Sequence, residues 1–398
     1  MKKIVKDIVK LVCYPVLGSI YAFLDGKKEL ENKVVFSSFW GQQYGDSPRS
    51  ISEKLHEMYP DIRQAWIYRG NPLDIPEYAE VIPWTIRNVQ KNLHTSKVWV
   101  DSHTKPTYVK KRRGQFYIET WHGGISFKKL EADIIKQSSI TTIPQIKHNS
   151  KMVDVYISNS SWYTQLYRKS FFYKGNIAEI GFPKSDIFFQ REKLKEIADK
   201  TRKELCISAD EKIILYAPTF RMDHSLEYYK YDFKQILDII NQKWPGNWKL
   251  LIKLHPLMRK KSWDLFAYNS EIINVSEYVN MQGLTIAADI FITDYSSGIF
   301  DFALTGKPAF ILANDLERYM NEERGFYIEP NKTPFPFSAN LNEFSQQVSK
   351  FDQNSYQKEL NDFFDKLGLR RNGNSAEIIC NWINKVICGG VYEFEDND

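Results

Sequence analysis

From residue 33 onward, short apolar runs alternate with stretches in which apolar positions recur every three or four residues. The short runs predict buried strands and the longer periodic stretches predict amphipathic helices. "KVVFSSF" predicts a strand, "SPRSISEKLHEMY" a helix starting near Ser47-Pro48, and "RQAWIY" a second strand. "AEVIPW", "KVWVDS", "QFYIET" and "VDVYIS" predict further strands. Asn159-Ser160-Ser161 is an N-cap cluster before the helix "WYTQLYRKSFF", and "NIAEIGFP" closes this half. The charged helical stretch "QREKLKEIADKTRKE" reads as the connection to a second half. There "KIILYAPTF", "WKLLIKLHP", "EIINVSE", "IFITD" and "PAFILA" predict strands, "DFKQILDIINQKW", "MQGLTIAAD" and "SSGIFDFALTG" predict helices, and the tail from about residue 341 is helical again.

Strands alternating with helices predict βαβ units and parallel sheets. The fold class is therefore α/β, GT-B-like, with two Rossmann-like halves facing a central cleft. Open α/β sheets place ligands outside the carboxyl ends of their strands, so the chemistry is expected there.

The first 28 residues differ. Ile4, Val5, Ile8 and Val9 share a helical stripe, with Lys2, Lys3, Lys6 and Lys10 elsewhere, before the apolar run "LVCYPVLGSIYAFL". A bilayer span needs about 20 apolar residues, and Pro15 and Gly18 weaken this shorter run. No A-x-A cleavage pattern follows it. The expectation is a basic amphipathic segment lying on an anionic cytoplasmic leaflet; packing on its own domain is the alternative.

Composition adds limits. The chain has 398 residues and a formal net charge of +5, too small to support nucleic-acid binding. Cys13, Cys206, Cys380 and Cys388 are widely spaced with no CxxC pair, which argues against a zinc site or disulfide framework and for a reducing compartment.

The candidate chemistry gathers where strands end. In "ADIFITDYSSGIFDFALTG" a strand ends at Asp294, and Ser296-Ser297-Gly298 open a helix whose free N–H groups suit a phosphate or are simply capped. His255 ends "WKLLIKLHP", and Thr219 and Arg221 follow the first strand of this half in "YAPTFR". Arg324, in "NEERGFY", either clamps a phosphate or pairs with Glu322 or Glu323. In the first half, Trp121-His122-Gly123-Gly124 follows "QFYIET", and Lys128 and Lys129 come next. The glycines allow close backbone approach or positive φ. No DxD, GxGxxG or Walker pattern stands out, so transfer without a metal or other cofactor is expected, with charge handled by His, Arg and helix N-termini.

In order, "FSSFWGQQYGDSPRSI", "ETWHGGISFKKL", "ISNSSWYTQLYRKSF", "IGFPKSDIF", "ILYAPTFR", "IKLHP", "ITDYSSGIFDFA" and "RGFY" span residues 36 to 327. Together they resemble the CDP-glycerol glycerophosphotransferases of teichoic acid and capsule synthesis, in particular the short primase-type members. The resemblance implies a peripheral enzyme of the cytoplasmic membrane face. It would move glycerol phosphate from CDP-glycerol to a hydroxyl of a lipid-linked saccharide or of a teichoic acid or capsule acceptor, releasing CMP. It implies that His122 is the general base, with Trp121, Gly123, Gly124 and Lys128 on the acceptor side. It implies that His255, Ser296, Ser297 and Arg324 serve the donor diphosphate, with Thr219 near them; Arg221 and Asp294 join this group by position. The family usually has Thr where this chain has Gly124. The implied domains are a membrane-associating segment 1–30, an acceptor domain 31–195, a CDP-polyol-binding domain 196–370 and a helical tail 371–398. The alternatives are the same transfer from CDP-ribitol, a GT-B nucleotide-sugar glycosyltransferase, and a non-enzymatic membrane scaffold.

Overall fold

A computed structural model describes residues 2–137, 139–258, 270–390 and 392. Two compact units emerge. The first comprises Met1–Gly124, Leu130–Phe189 and Gly368–Asp398; the second comprises Ile125–Lys129 and Gln190–Leu367.

The first unit is built on seven parallel strands: β1 (Glu31–Ser37), β2 (Arg63–Tyr68), β3 (Ala79–Pro83), β4 (Ser96–Asp101), β5 (Phe116–Glu119), β6 (Val155–Ser158) and β7 (Asn176–Glu179). Their order is β3-β2-β1-β4-β5-β6-β7. Val35 of β1 faces Ala65 on one side and Trp99 on the other. Val34, Val35, Phe36, Trp66, Trp99, Tyr117 and Ile118 are buried. A parallel sheet covered on both faces needs such continuous apolar strands, and this is why the short runs stood out in the sequence. Helix Ser161–Ser170 starts as its Ser-rich entry predicts: Ser160 Oγ accepts from Tyr163 N–H at 3.1 Å. The chain returns to this unit at its end. Helix Ser375–Ile387 packs on helix Asp46–Met58, with Tyr59 O–H donating to Asn381 Oδ1 at 2.7 Å.

The N-terminal helix runs unbroken from Lys2 to Asp25, through Pro15. The 14-residue apolar run is therefore only part of it, and Asp7–Asp25 is long and apolar enough, by length and composition, to cross a membrane. One face is docked on the first unit. Tyr14 meets Tyr108 edge-on at 5.1 Å, Ser139 Oγ donates to Asp7 at 2.8 Å, and Arg87 grips Asp25. The Arg87 bond, with Lys28 beside it, outweighs desolvation and holds the Asp25 carboxyl down to about 2. Gly18 is required here: a Cβ would stand 2.3 Å from the Tyr108 carbonyl oxygen. The outer face exposes Ile8, Val9, Val12, Val16, Ile20, Phe23 and Leu24. Docking on the unit and an outward apolar stripe, expected as alternatives, occur together.

The second unit has six parallel strands: β8 (Glu211–Tyr216), β9 (Asn247–Ile252), β10 (Ile272–Asn274), β11 (Ile290–Thr293), β12 (Ala309–Leu312) and β13 (Phe337–Ser338). Their order, β10-β9-β8-β11-β12-β13, repeats the winding of the first sheet. The stretch read as a connection is helix Arg191–Glu204 of this unit; it packs on helix Met281–Ala287, and only its Thr201 is buried. The helix opened by Ser296-Ser297 is shorter than expected, Gly298–Ala303, and the chain turns to Gly306 at φ +71°.

Each sheet reverses its strand order once, between β1 and β4 and between β8 and β11. Loops leaving these four strands diverge to opposite faces of the sheet and open a crevice at the strands' carboxyl ends.

Candidate functional site

In the first unit, the loops after β1, β4 and β5 bring together Phe39, Trp40, Ser102, His103, Trp121 and His122. The two imidazoles stack nearly parallel, centroids 4.0 Å apart at 8°. Trp121 lies 4.2 Å from His122 and Phe39 5.4 Å, both tilted. His122 Nδ1 is 3.0 Å from the Ser102 carbonyl oxygen. A carbonyl only accepts, so Nδ1 carries the proton and, in the neutral ring, the basic lone pair belongs to Nε2. Burial, then the nearby His122, push the His103 pKa down to about 2, so His103 is a neutral neighbour.

Beneath this pair lies a buried polar network. Lys105 bonds the Asp101 carboxylate and Asp101 accepts from His103 N–H at 2.9 Å. Glu119 accepts from Tyr117 O–H at 2.7 Å and from Trp121 N–H at 3.1 Å. Asn149 ties the two carboxylate groups, accepting from Lys105 N–H at 2.8 Å and donating to Glu119 at 3.4 Å. Burial raises the Glu119 pKa and lowers that of Lys105. The network holds the two loops that carry His103 and His122.

Gly123 and Gly124 do not take positive φ; Trp121 does, at +54°. Gly124 is set by close packing, since a Cβ there would come within 2.6 Å of Asn159 Nδ2 and 3.2 Å of Phe182. A threonine at this position would have to displace the Asn159 side chain. The buried Trp121 Nε1–H has no acceptor among the described residues.

In the second unit, Arg221 is buried and fully engaged. It donates through Nε and Nη2 to Asp315 at 2.8 and 2.9 Å, and through Nη1 to Asp294 at 2.8 Å and the Thr219 carbonyl at 2.7 Å. Tyr295 O–H joins Asp315 at 2.9 Å. Although desolvation opposes the charge, the two carboxylates hold the Arg221 pKa above its usual value. Arg221 and Asp294 thus position the Thr219 loop against the end of β11; their charges are matched inside the protein.

Thr219, His255, Ser296, Ser297 and Arg324 remain the groups presented after β8, β9 and β11 or from the "RGFY" turn. Lys128 belongs with them. It pairs with Phe326 in an antiparallel bridge, and its Nζ stands 3.5 Å from Thr219 Oγ1. Burial, then the adjacent Arg324 guanidinium, push the Lys128 pKa down to about 8, with Asp294 opposing. Arg324 has no carboxylate partner among the described residues; Glu322 is taken by Arg318. His255 is exposed and packs 5.1 Å from Phe220. Its Nδ1 accepts from Leu257 N–H at 3.3 Å, so the neutral ring carries its proton on Nε2. His255 is fixed as a donor where His122 is fixed as an acceptor. Ser296 Oγ accepts from Gly298 N–H at 3.3 Å, whereas Ser297 makes no capping bond. Three hydroxyls, a donor imidazole and two cations suit the oxygens of a diphosphate.

His103, Asp101, Lys105, Glu119 and Asp315 were absent from the sequence expectation. The signal for His103 was present: it follows "KVWVDS", at a strand's carboxyl end, as His122 follows "QFYIET".

A family model described as CDP-Glycerol:Poly(glycerophosphate) glycerophosphotransferase matches residues 20–385. A teichoic acid poly(glycerol phosphate) polymerase of Staphylococcus epidermidis is 30% identical over 382 residues, 93% of this chain and 53% of that protein. The chain therefore spans about half the length of that relative. A teichoic acid glycerol-phosphate transferase of Staphylococcus aureus is 28% identical over 383 residues, 92% of this chain and 97% of that one. The structure of the wall teichoic acid polymerase TagF superposes with a TM-score of 0.81 at 29% identity, covering 97% of both chains. A TagF variant soaked with CDPG gives the same score at 28% identity.

Proposed function

We propose, from the premise that the chain belongs to the CDP-glycerol:poly(glycerophosphate) glycerophosphotransferase family, that it transfers glycerol phosphate from CDP-glycerol to a hydroxyl of a lipid-linked saccharide, releasing CMP. The observation that carries this reading is the division of labour between the two sheets. His122, tied through Nδ1 to the Ser102 carbonyl and stacked on His103, stands beside the switch point of one, and Thr219 and Lys128 stand at the strand ends of the other, which suits a base and a diphosphate site.

In this reading the acceptor oxygen attacks the phosphorus that bears glycerol, and its proton passes to His122 Nε2. The bond to CMP breaks, and the leaving phosphate keeps the electron pair. Lys128, Arg324, His255 Nε2–H and the Thr219 and Ser296 hydroxyls stabilise the charge that grows there. Arg221, Asp294 and Asp315 keep Thr219 in register. The test is CMP release from CDP-glycerol, CDP-ribitol and a UDP-sugar with a lipid-linked saccharide present. The reading predicts release from CDP-glycerol; release from CDP-ribitol alone would change the donor, and release of UDP would replace the reaction.

Lys128 makes the donor step pH-dependent. A lysine with a pKa of about 8 is cationic below that pH and neutral above it. The kcat/KM for donor reports the free enzyme and is expected to fall as pH rises through about 8. Lys128→Arg, charged throughout, should remove that fall. An unchanged profile in the variant would remove Lys128 from donor binding.

The N-terminal helix supports association with the cytoplasmic face of the membrane. Its outward stripe, including Val12 at 62% exposure, Val16 at 57% and Phe23 at 77%, is apolar while its other face is docked. An interfacial helix binds through such an area, assisted by lysines on an anionic surface. Val12→Glu combined with Val16→Glu should move the protein from the membrane to the soluble fraction at unchanged thermal stability, because neither side chain is packed. Unchanged partitioning would refute the anchor. Deleting the helix is a poorer test, since it would strip Tyr108 and Arg87 of their partners.

A further inference from the structure

Phe39, Trp40 and Gly41 occupy three consecutive left-handed positions, with φ of 48°, 54° and 79°. For a non-glycine residue this costs about 1–2 kcal/mol, and such strain persists only where the surroundings impose it. Here they do. Phe39 N–H bonds Ser102 Oγ at 3.4 Å, Gly41 N–H bonds the Ser38 carbonyl at 2.9 Å, and Arg69 N–H bonds the Gly41 carbonyl at 2.7 Å. Gly41 cannot carry a side chain, because a Cβ would lie 2.9 Å from the Ile67 carbonyl oxygen.

This bent loop puts Trp40 beside the histidine pair. The indole centroid is 4.3 Å from His103, whose ring is stacked on His122, and its Nε1–H donates to the Thr104 carbonyl at 3.3 Å. The ring is thereby fixed, yet Trp40 remains 44% exposed. A lone exposed tryptophan needs no explanation by itself. A tryptophan held on a strained backbone, two ring steps from the catalytic base, does.

We propose that Trp40 is a stacking platform for the sugar ring of the acceptor, placing that ring so that its hydroxyl reaches His122 Nε2. A pyranose offers a flat face of C–H groups that an indole can cover, and His103, 4.3 Å from Trp40 and 4.0 Å from His122, links the two rings. A linear polyol phosphate has no such face. The indole itself carries no charge to hold a phosphate, His103 is held neutral and Lys105 is buried against Asp101; the cation beside the histidine pair is Lys184, whose Nζ donates to the His122 carbonyl at 3.5 Å. The inference rests on the transferase reading for the acceptor class and adds the residue that recognises it.

The test is equilibrium titration, without donor, of a soluble disaccharide joined through a diphosphate to a short alkyl chain. A glycerol-phosphate alkyl ester serves as the second probe. Trp40→Gly is the informative variant, because glycine accepts φ of +54° at no cost and should leave the melting temperature unchanged or raised. The account predicts that it weakens disaccharide binding about fivefold or more and leaves the glycerol-phosphate probe unaffected, with Trp40→Phe recovering most of the loss. Equal disaccharide affinity in Trp40→Gly and wild type, or no disaccharide binding by wild type, would overturn it. So would a parallel loss for both probes. CMP release is read separately, so a failed donor assignment is told apart from a failed platform.

Discussion

Replacing His122 with alanine is expected to lower kcat for transfer by about 10²–10⁴-fold, the range for loss of a general base. The acceptor hydroxyl keeps its proton near neutral pH, and the ring held by the Ser102 carbonyl presents Nε2 to take it. His122 is only partly buried, so the variant should fold and still bind donor. Donor affinity measured beside kcat separates the two roles: a loss confined to kcat identifies a base, whereas a matching loss of donor binding or a large drop in melting temperature identifies a structural residue. Retention of most activity would remove His122 from the mechanism.

Arg221→Met is expected to give the largest loss of stability, about 3–5 kcal/mol. The guanidinium is enclosed by Asp294 and Asp315, with Tyr228, Tyr295 and Tyr319 rings at 5.4, 5.0 and 4.8 Å. Removing it leaves two buried carboxylates without their cation, and the penalty is chiefly that exposed debt of charge. Adding Asp294→Asn and Asp315→Asn to Arg221→Met should therefore recover part of the loss, because a buried ion group replaced as a whole is far less costly than one broken. Denaturant unfolding monitored by hydrogen exchange at β8 and β11 would show the change where it arises. A single variant as stable as wild type would mean the cluster is not the keystone of the Thr219 loop.

Most of the strands were legible because a doubly covered parallel sheet writes its strands as unbroken apolar runs, as in "KVWVD" and "IFIT". The two-residue β13 was too short to leave that mark. The placement of His122, His255, Thr219 and Ser296 was legible for a related reason: each follows a strand's carboxyl end. What the pattern could not show was strand order. Only the adjacency of β1 and β4 makes Trp40 and His103 neighbours, with 62 residues between them in the chain. Lys128 misled for the same cause. Six positions after His122 it reads as an acceptor-side group, but the bridge to Phe326 places it with Thr219. The glycines beside His122 allowed close approach or positive φ, and Gly124 is closely packed while neither takes positive φ. The left-handed residue is Trp121, held there by the bond from its N–H to Glu119.

The most direct test of the central claim is transfer of glycerol phosphate, labelled in the glycerol, from CDP-glycerol to a lipid-linked disaccharide by the purified protein. The account predicts one labelled glycerol phosphate in the lipid product for each CMP released, with both lost together in His122→Ala. CMP release without label in the lipid product, or undiminished transfer by His122→Ala, would contradict it.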